Sequence, residues 1–223
     1  VVIVGEPSMM KAVTGHKGGN AYTTHVVGFE VHSSIYYQGV SAIHEGARLI
    51  QWATEQNEKN RAATPAHLAE MFDPPYTTWH VGTITGGTAD NITAKDCHFN
   101  MGYRAVPGDD PAALDQMYFD KVNAVKEAMQ AVHPGADIVL TPRFAVPPLK
   151  PEEQGEAEGL ARLITGDNAG HVVSYGTEAG QFQAAGYSAV VCGPGDIAQA
   201  HQPNEFIDVA QFEAGHQFMR DLL

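Results

Sequence analysis

Gly193–Phe206 reads GPGDIAQAHQPNEF and follows directly on the apolar run Ser188–Cys192, which makes it the densest chemical signal in the chain. Gly193 and Gly195, on either side of Pro194, let backbone approach a ligand with no Cβ in the way. His201 lies among polar residues on the C-terminal side of that run, where open α/β sheets bind ligands, and neutral imidazole is a common metal donor. A plain loop histidine fits the same spacing. Gly5-Glu6-Pro7 ends the run VVIV, and Pro7 biases Glu6 toward an extended backbone, so a carboxylate sits at a strand end where an oxygen ligand would serve a metal. A surface turn is the simpler alternative. Thr177 and Glu178, in SYGTEAG, follow another short apolar run and would set a hydroxyl and a carboxylate at the same sheet edge, unless Glu178 only decorates a helix N-terminus. Arg104, within FNMGYRAVPG, reads as a buried guanidinium that needs an anion, either a substrate carboxylate or a structural partner. His32, before Ser33-Ser34, could donate to a developing oxyanion or simply face solvent. The other histidines, His16, His25 and His98 among them, show no HExxH or similar ligand spacing and read as surface or supporting groups.

These side chains must be held by something. Small and β-branched residues alternate over Gly19–Val31, which predicts a strand running into His32, followed by a polar loop, SSIYYQGV. Ser41 is placed to cap a helix reaching about Asn60, with Ile43, Ala47, Ile50 and Ala53 as its apolar stripe. Trp79–Thr85 and Cys97–Val106 read as strands on either side of GGTADN. Asp110-Pro111 opens a second helix carrying Leu114, Met117, Tyr118, Val122, Val125 and Met129 at helical spacing, and Ile138–Thr141 closes as a strand. The order β-α-β-β-α-β predicts a split βαβ, ferredoxin-like α+β unit. A proline-rich link at 144–154 then reads as a domain crossing. Beyond it, helices at about Glu153–Ile164, Glu178–Ala184 and Val209–Leu222 alternate with strands at Val172–Tyr175 and Ser188–Cys192, which signals an α/β fold class.

Composition narrows the partners. Against 26 Asp+Glu stand 13 Lys+Arg in 223 residues, a net charge of −13, with 43% apolar residues to build a core. That balance repels phosphate backbones and anionic headgroups, so no nucleic acid and no membrane are expected. Cys97 and Cys192 are too few and too far apart for a disulfide framework or a cysteine zinc site, which suits a reducing, cytoplasmic setting. The chain opens at Val1 on a strand already under way, and is expected to be a fragment.

The segments VVIVGEPS (Val1–Ser8), HKG (His16–Gly18), HSS and GVSAI (within His32–Ile43), GTITGGTADNI (Gly82–Ile92), YRAVPGDD (Tyr103–Asp110), YGTEAGQF (Tyr175–Phe182) and GPGDIAQAHQPNEF cover essentially the whole chain. In type and order they make it resemble the M20-type dinuclear zinc amidohydrolases. The resemblance implies the C-terminal part of a zinc-peptidase-like catalytic domain, residues 1–18 and 142–223, with a ferredoxin-like lid and dimerisation domain, 19–141, inserted between. It implies two Zn2+ ions, with Co2+ as a substitute, Glu6 ligating one and His201 the other. His32 would reach into a partner subunit's site to hold the scissile carbonyl oxygen. Asn91 and Arg104 would bind an N-acylated amino acid, Arg104 at its α-carboxylate, and Thr177, Glu178, Gly193 and Gly195 would line the pocket. The implied reaction is amide hydrolysis, deacetylation of N-acetylornithine being the nearest activity. A desuccinylase, a carboxypeptidase-like relative or a non-catalytic dimerisation module are the alternatives. In the resembled family the general base and the remaining ligands precede the Gly-Glu-Pro turn, so this polypeptide alone is expected to be inert.

Overall fold

Strand β3 (Gly18–Val27) is the spine of the larger half. In the computed structural model, which describes residues 1–223, it pairs antiparallel with β5 (Asp96–Ala105) on one side and β6 (Asp137–Val146) on the other. Strand β4 (Thr78–Gly86) completes the sheet in the order β4-β5-β3-β6. Alternation decides the faces: Cys97, Phe99, Met101 and Tyr103 of β5 are buried, whereas Asp96, His98 and Asn100 lie on the other, open face. Helices α1 (Ala42–Ala62) and α2 (Pro111–Val132) cover the buried face, and with it form one continuous core of 19 residues around Phe99, Leu49, Trp52 and Tyr118. Both helices start where a side-chain oxygen meets an orphan amide: Ser41 accepts from His44 N–H, and Asp110 accepts from Ala112 N–H with Pro111 in the first turn. The β-α-β-β-α-β order and its antiparallel sheet are those of the expected ferredoxin-like unit.

Local departures have local causes. Strand β3 stops at Val27 rather than Val31: a Cβ on Gly28 would collide with Val40 O and Ala94 O, and Phe29 beyond it pairs with Val40 instead of with β5 or β6. The apolar stripe of α1 is displaced by about a residue: Ala42, Gly46, Leu49, Trp52 and Ala53 are buried, whereas Ile43 is exposed. Trp52 and Leu49 offer more apolar area than Ile43 and Ala47, and the helix turns to bury them. The strand expected at Ile138–Thr141 runs on to Val146, taking in the start of the proline-rich link. It accommodates Pro142 with a register shift, as an edge strand can. Ser33–Gln38, read as loop, is a 3₁₀ turn.

The smaller half is a mixed sheet of short strands in the order β1-β8-β2-β7: β1 (Val2–Val4), β2 (Val13–His16), β7 (His171–Val173) and β8 (Ala189–Val191). Helices α3 (Glu156–Thr165), α4 (Ala179–Ala184) and α5 (Val209–Asp221) pack around it. Its buried apolar residues fall into small groups, one of 6 around Val190 and Cys192 and one of 5 around Leu149 and Val191. Strand β2 was not expected; its residues VTGH lack the alternation that marks β3. The two halves are joined where the chain leaves β2 and returns after β6: His16 and Leu149 exchange two backbone hydrogen bonds of 3.1 Å. No helix is long and apolar enough to cross a membrane.

Candidate active site

Strands β1 and β8 run parallel with Val4 opposite Val191, so the Gly5-Glu6-Pro7 turn and the Gly193-Pro194-Gly195 loop leave the sheet side by side. The seam between them is tight. Ser8 N–H and Met10 N–H both donate to Gly193 O (3.1 and 3.0 Å), Met9 N–H donates to Gly195 O (2.8 Å), and Gly193 N–H donates to Ser8 Oγ (3.0 Å). A Cβ on Gly193 would collide with Gly5 O and Glu6 O, and Gly195 has φ +91°, so both positions require glycine. Met9 and Met10 are held at φ 57° and 58°, a left-handed pair whose strain of about 1–2 kcal/mol each those hydrogen bonds offset.

Glu6, half-buried in this seam, makes no hydrogen bond or ion pair with any side chain. Tyr175 reaches it from the end of β7, donating its hydroxyl to Pro7 O at 2.8 Å. Burial first, then the negative charges of Glu6 and Asp196, push the Tyr175 phenol up. Glu6 and Asp196 are thus the carboxylates whose charge the Tyr175 hydroxyl feels. His201, exposed beyond Asp196, has a left-handed backbone (φ 59°), its own N–H bound to Glu205 Oε2 at 2.8 Å and its ring left without a partner. Glu6 and His201 belong to no group of three clustered ligand side chains. A carboxylate and an imidazole, each without a protein partner, are donors of the kind that hold zinc.

Strand β7 sets the position of Thr177 and Glu178. It runs parallel to β2, which is antiparallel to β8, yet Tyr175 just beyond it reaches back to Pro7 O, and Thr177 and Glu178 follow two and three residues later. Thr177 is buried with its hydroxyl accepting from Ala179 N–H (3.1 Å), a helix-capping role, and Glu178 is exposed at the start of α4. They meet the junction of the two halves. His16, fully buried rather than at the surface, accepts from Gly180 N–H through Nε2 (3.1 Å), so Nδ1 donates to Lys17 O (3.0 Å). Burial lowers its pKa and keeps it neutral. Lys17, equally buried, donates to Pro74 O and Tyr76 O at 2.6 and 3.1 Å.

Arg104 also points to this junction. It is exposed, not buried, and forms no ion pair; its guanidinium lies 5.7 Å above the Phe144 ring, and its Nη1 comes within 3.9 Å of where a Cβ on Gly176 would sit. With Arg143 and His80 it borders an open-face cavity of about 570 Å³ that has no acidic residue in its lining, notable in so acidic a chain. His32 and Asn91 are brought together at the other end of the larger sheet: Ser33 N–H donates to Asn91 O (2.8 Å), and His32 pairs with Ile92. His32 Nδ1 accepts from Ser34, leaving Nε2–H directed outward from an exposed ring. From Gly19, opposite Arg104, to Val27 is eight residues of strand, roughly 27 Å at about 3.4 Å each. His32 and Arg104 therefore lie toward opposite ends of the larger sheet. Sequence reasoning missed Ser8, Tyr175 and Asp196, whose neighbours come from distant strands, and His16, whose burial no spacing reveals.

Comparison with known proteins matches residues 14–130 to the M20 family's peptidase dimerisation domain. Acetylornithine deacetylase from Myxococcus xanthus is 34% identical over 214 residues, 93% of this chain and 52% of the relative; that from Proteus mirabilis is 32% identical over 99% of this chain and 55% of its own. The chain thus spans about half the length of the curated relatives it matches. Among solved structures, an aminopeptidase from Bacillus cereus superposes with a TM-score of 0.73 at 16% identity, covering 98% of this chain and 55% of that one. An M20 family metallo-carboxypeptidase from Sulfolobus solfataricus gives 0.66 at 15%, covering 95% and 59%.

Proposed function

Because this chain belongs to the M20 peptidase family, we propose that it contributes the lid and part of the catalytic centre of a metal-dependent amide hydrolase acting on an N-acylated amino acid. N-acetylornithine is the substrate of choice, on the strength of the deacetylase relatives. The observation that carries the reading is the seam itself, where a glycine loop presses against the turn that presents an unpartnered carboxylate, Glu6. Glu6 and His201 would each hold a divalent ion, zinc or cobalt. Such an ion supplies Lewis-acid polarisation of the amide carbonyl and a nucleophile at neutral pH.

The chain's own residues bind and orient. Arg104, without an anionic partner, pairs with the substrate carboxylate, for which a guanidinium is geometrically suited. Glu178, exposed at the junction that Arg104 also borders, would favour a cationic side chain, which suits ornithine. Gly193 and Gly195 let substrate approach backbone. His32 carries an outward Nε2–H at the far end of the lid, too distant from Arg104 to act on the same substrate within one subunit. It is therefore assigned to the partner subunit's site, donating to the developing oxyanion, with Asn91 beside it, and the lid is assigned to a homodimer.

The test is turnover by the longest polypeptide that the gene encodes, loaded with zinc, across N-acetylornithine, N-succinyl-diaminopimelate and dipeptides. Acetate release with N-acetylornithine preferred supports the reading. Preference for the succinyl or peptide substrate moves it to the rival activities, and no hydrolysis of any leaves a dimerisation module. His32→Ala is expected to lose at least tenfold, about 1.4 kcal/mol of transition-state stabilisation.

A further inference from the structure

Away from the seam, the open face of the lid sheet brings His25, Asp96 and His98 together, their ligand atoms all within 4.8 Å of one another. No other set of three histidine, cysteine, aspartate or glutamate side chains in the chain clusters so closely. We propose that these three residues form a separate binding site for one borderline divalent cation of the zinc type.

The register builds the site. His25 on β3 stands directly opposite His98 on β5, and Asp96 is two residues before His98, so all three side chains leave the same face of two central, fully paired strands. The rings stack with centroids 3.9 Å apart and planes 15° from parallel, and His25 Nε2 lies 2.7 Å from Asp96 Oδ1. A cation bonded at about 2.0–2.2 Å wants its donors about 3.3 Å apart, so it would replace the proton of that hydrogen bond after a modest turn of His98. Asp137, close enough to His25 for their charges to interact, is already held by Lys126 at 2.5 Å.

Donor chemistry sets the class of ion. Two imidazoles and one carboxylate favour zinc, cobalt, nickel or copper over magnesium or calcium, which prefer all-oxygen shells. Half-exposed side chains leave at least one coordination position open to water or to a donor from another molecule. The His25–Asp96 pair as a plain surface ion pair is the competing reading, and it predicts no metal affinity.

The experiment is a Co2+ titration, followed by visible absorption, of the chain carrying Glu6→Gln and His201→Gln, which removes the donors assigned to the active site. The site predicts one saturable equivalent in that background, a rise in unfolding temperature with added Zn2+, and no response to Mg2+. His98→Gln and, separately, Asp96→Asn should each weaken Co2+ binding at least tenfold while far-UV circular dichroism is unchanged. Loss of all saturable binding in the Glu6→Gln/His201→Gln background overturns the proposal. So does binding there that His98→Gln and Asp96→Asn leave untouched. Neither result depends on whether the protein hydrolyses an amide.

Discussion

The two halves of the molecule are built to different standards of self-sufficiency. In the lid, strands of nine and ten residues and helices of 21 and 22 share one core of 19 buried residues. In the other half, strands of three or four residues carry separate groups of 6 and 5, and α5 turns Val209, Phe212 and Met219 outward at 72, 63 and 59% exposure. Hydrophobic burial scales with the area removed from water, so the lid stabilises itself, whereas the smaller half leaves apolar surface that could still be covered. The proposed chemistry divides likewise: Arg104, Asn91 and His32 belong to the self-sufficient half, and Glu6 and His201 to the one that is not.

The largest test of that contrast is Phe99→Ala. Truncating this 1% exposed ring should cost about 3–5 kcal/mol. Urea unfolding is expected in two phases, with Phe99→Ala moving only the more stable one and Val190→Ala only the less stable. A single transition moved by both variants would break the comparison.

How far the sequence disclosed this follows the same divide. In the lid, long alternating strands and capped helices make the β-α-β-β-α-β order readable, because each element carries its own periodicity. Strand β2 and the direction of β7 were not readable, since three or four residues hold no period and pairing is set by contacts elsewhere. Glu6, Gly193 and Gly195 were found because a turn residue at a strand end is a local signal. The His25–Asp96–His98 cluster was half visible: Asp96 and His98 two apart in a strand share a face, but only the register of β3 against β5 brings in His25.

The seam offers a sharper probe of the smaller half. Gly193→Ala forces a methyl group into Gly5 O and Glu6 O, whereas Gly176→Ala meets Lys17 O at 3.2 Å and needs only a small adjustment. The first should destabilise by about 1–3 kcal/mol. It should also cut hydrolysis in the intact enzyme by up to about a hundredfold, the scale expected when a catalytic group moves by an ångström. The second should do neither.

At the junction, His16 gives a pH test. Burial lowers its folded pKa below the ordinary value of 6.5, so the unfolded chain takes up the proton first as pH falls. Its contribution is therefore complete above pH 6.5 and is lost as pH drops below that, with a slope of up to about 1.4 kcal/mol per pH unit. Asp137, held below the usual carboxylate range chiefly by Lys126, acts in a lower window, below about pH 4. Urea midpoints between pH 7 and 5 should fall for the wild type and flatten in His16→Gln. An unchanged slope in the variant would remove His16 as the titrating group.

The smallest expected effects lie at the helix ends, and they separate local from borrowed order. Asp110 accepts from Ala112 N–H at 3.0 Å, and Ser41 from His44 N–H at a longer 3.4 Å, so each lid helix satisfies one of its first free amides from its own sequence. Helices α3, α4 and α5 begin at Gly155, Glu178 and Asp208 with no side-chain cap bond. Asp110→Ala should therefore cost about 1 kcal/mol, Ser41→Ala about half of that, and Asp208→Ala close to nothing, each read as a shift in urea midpoint. If Asp208→Ala cost as much as Asp110→Ala, α5 would be locally encoded after all. The smaller half would then owe its exposed apolar face to something other than dependence on contacts it does not itself make.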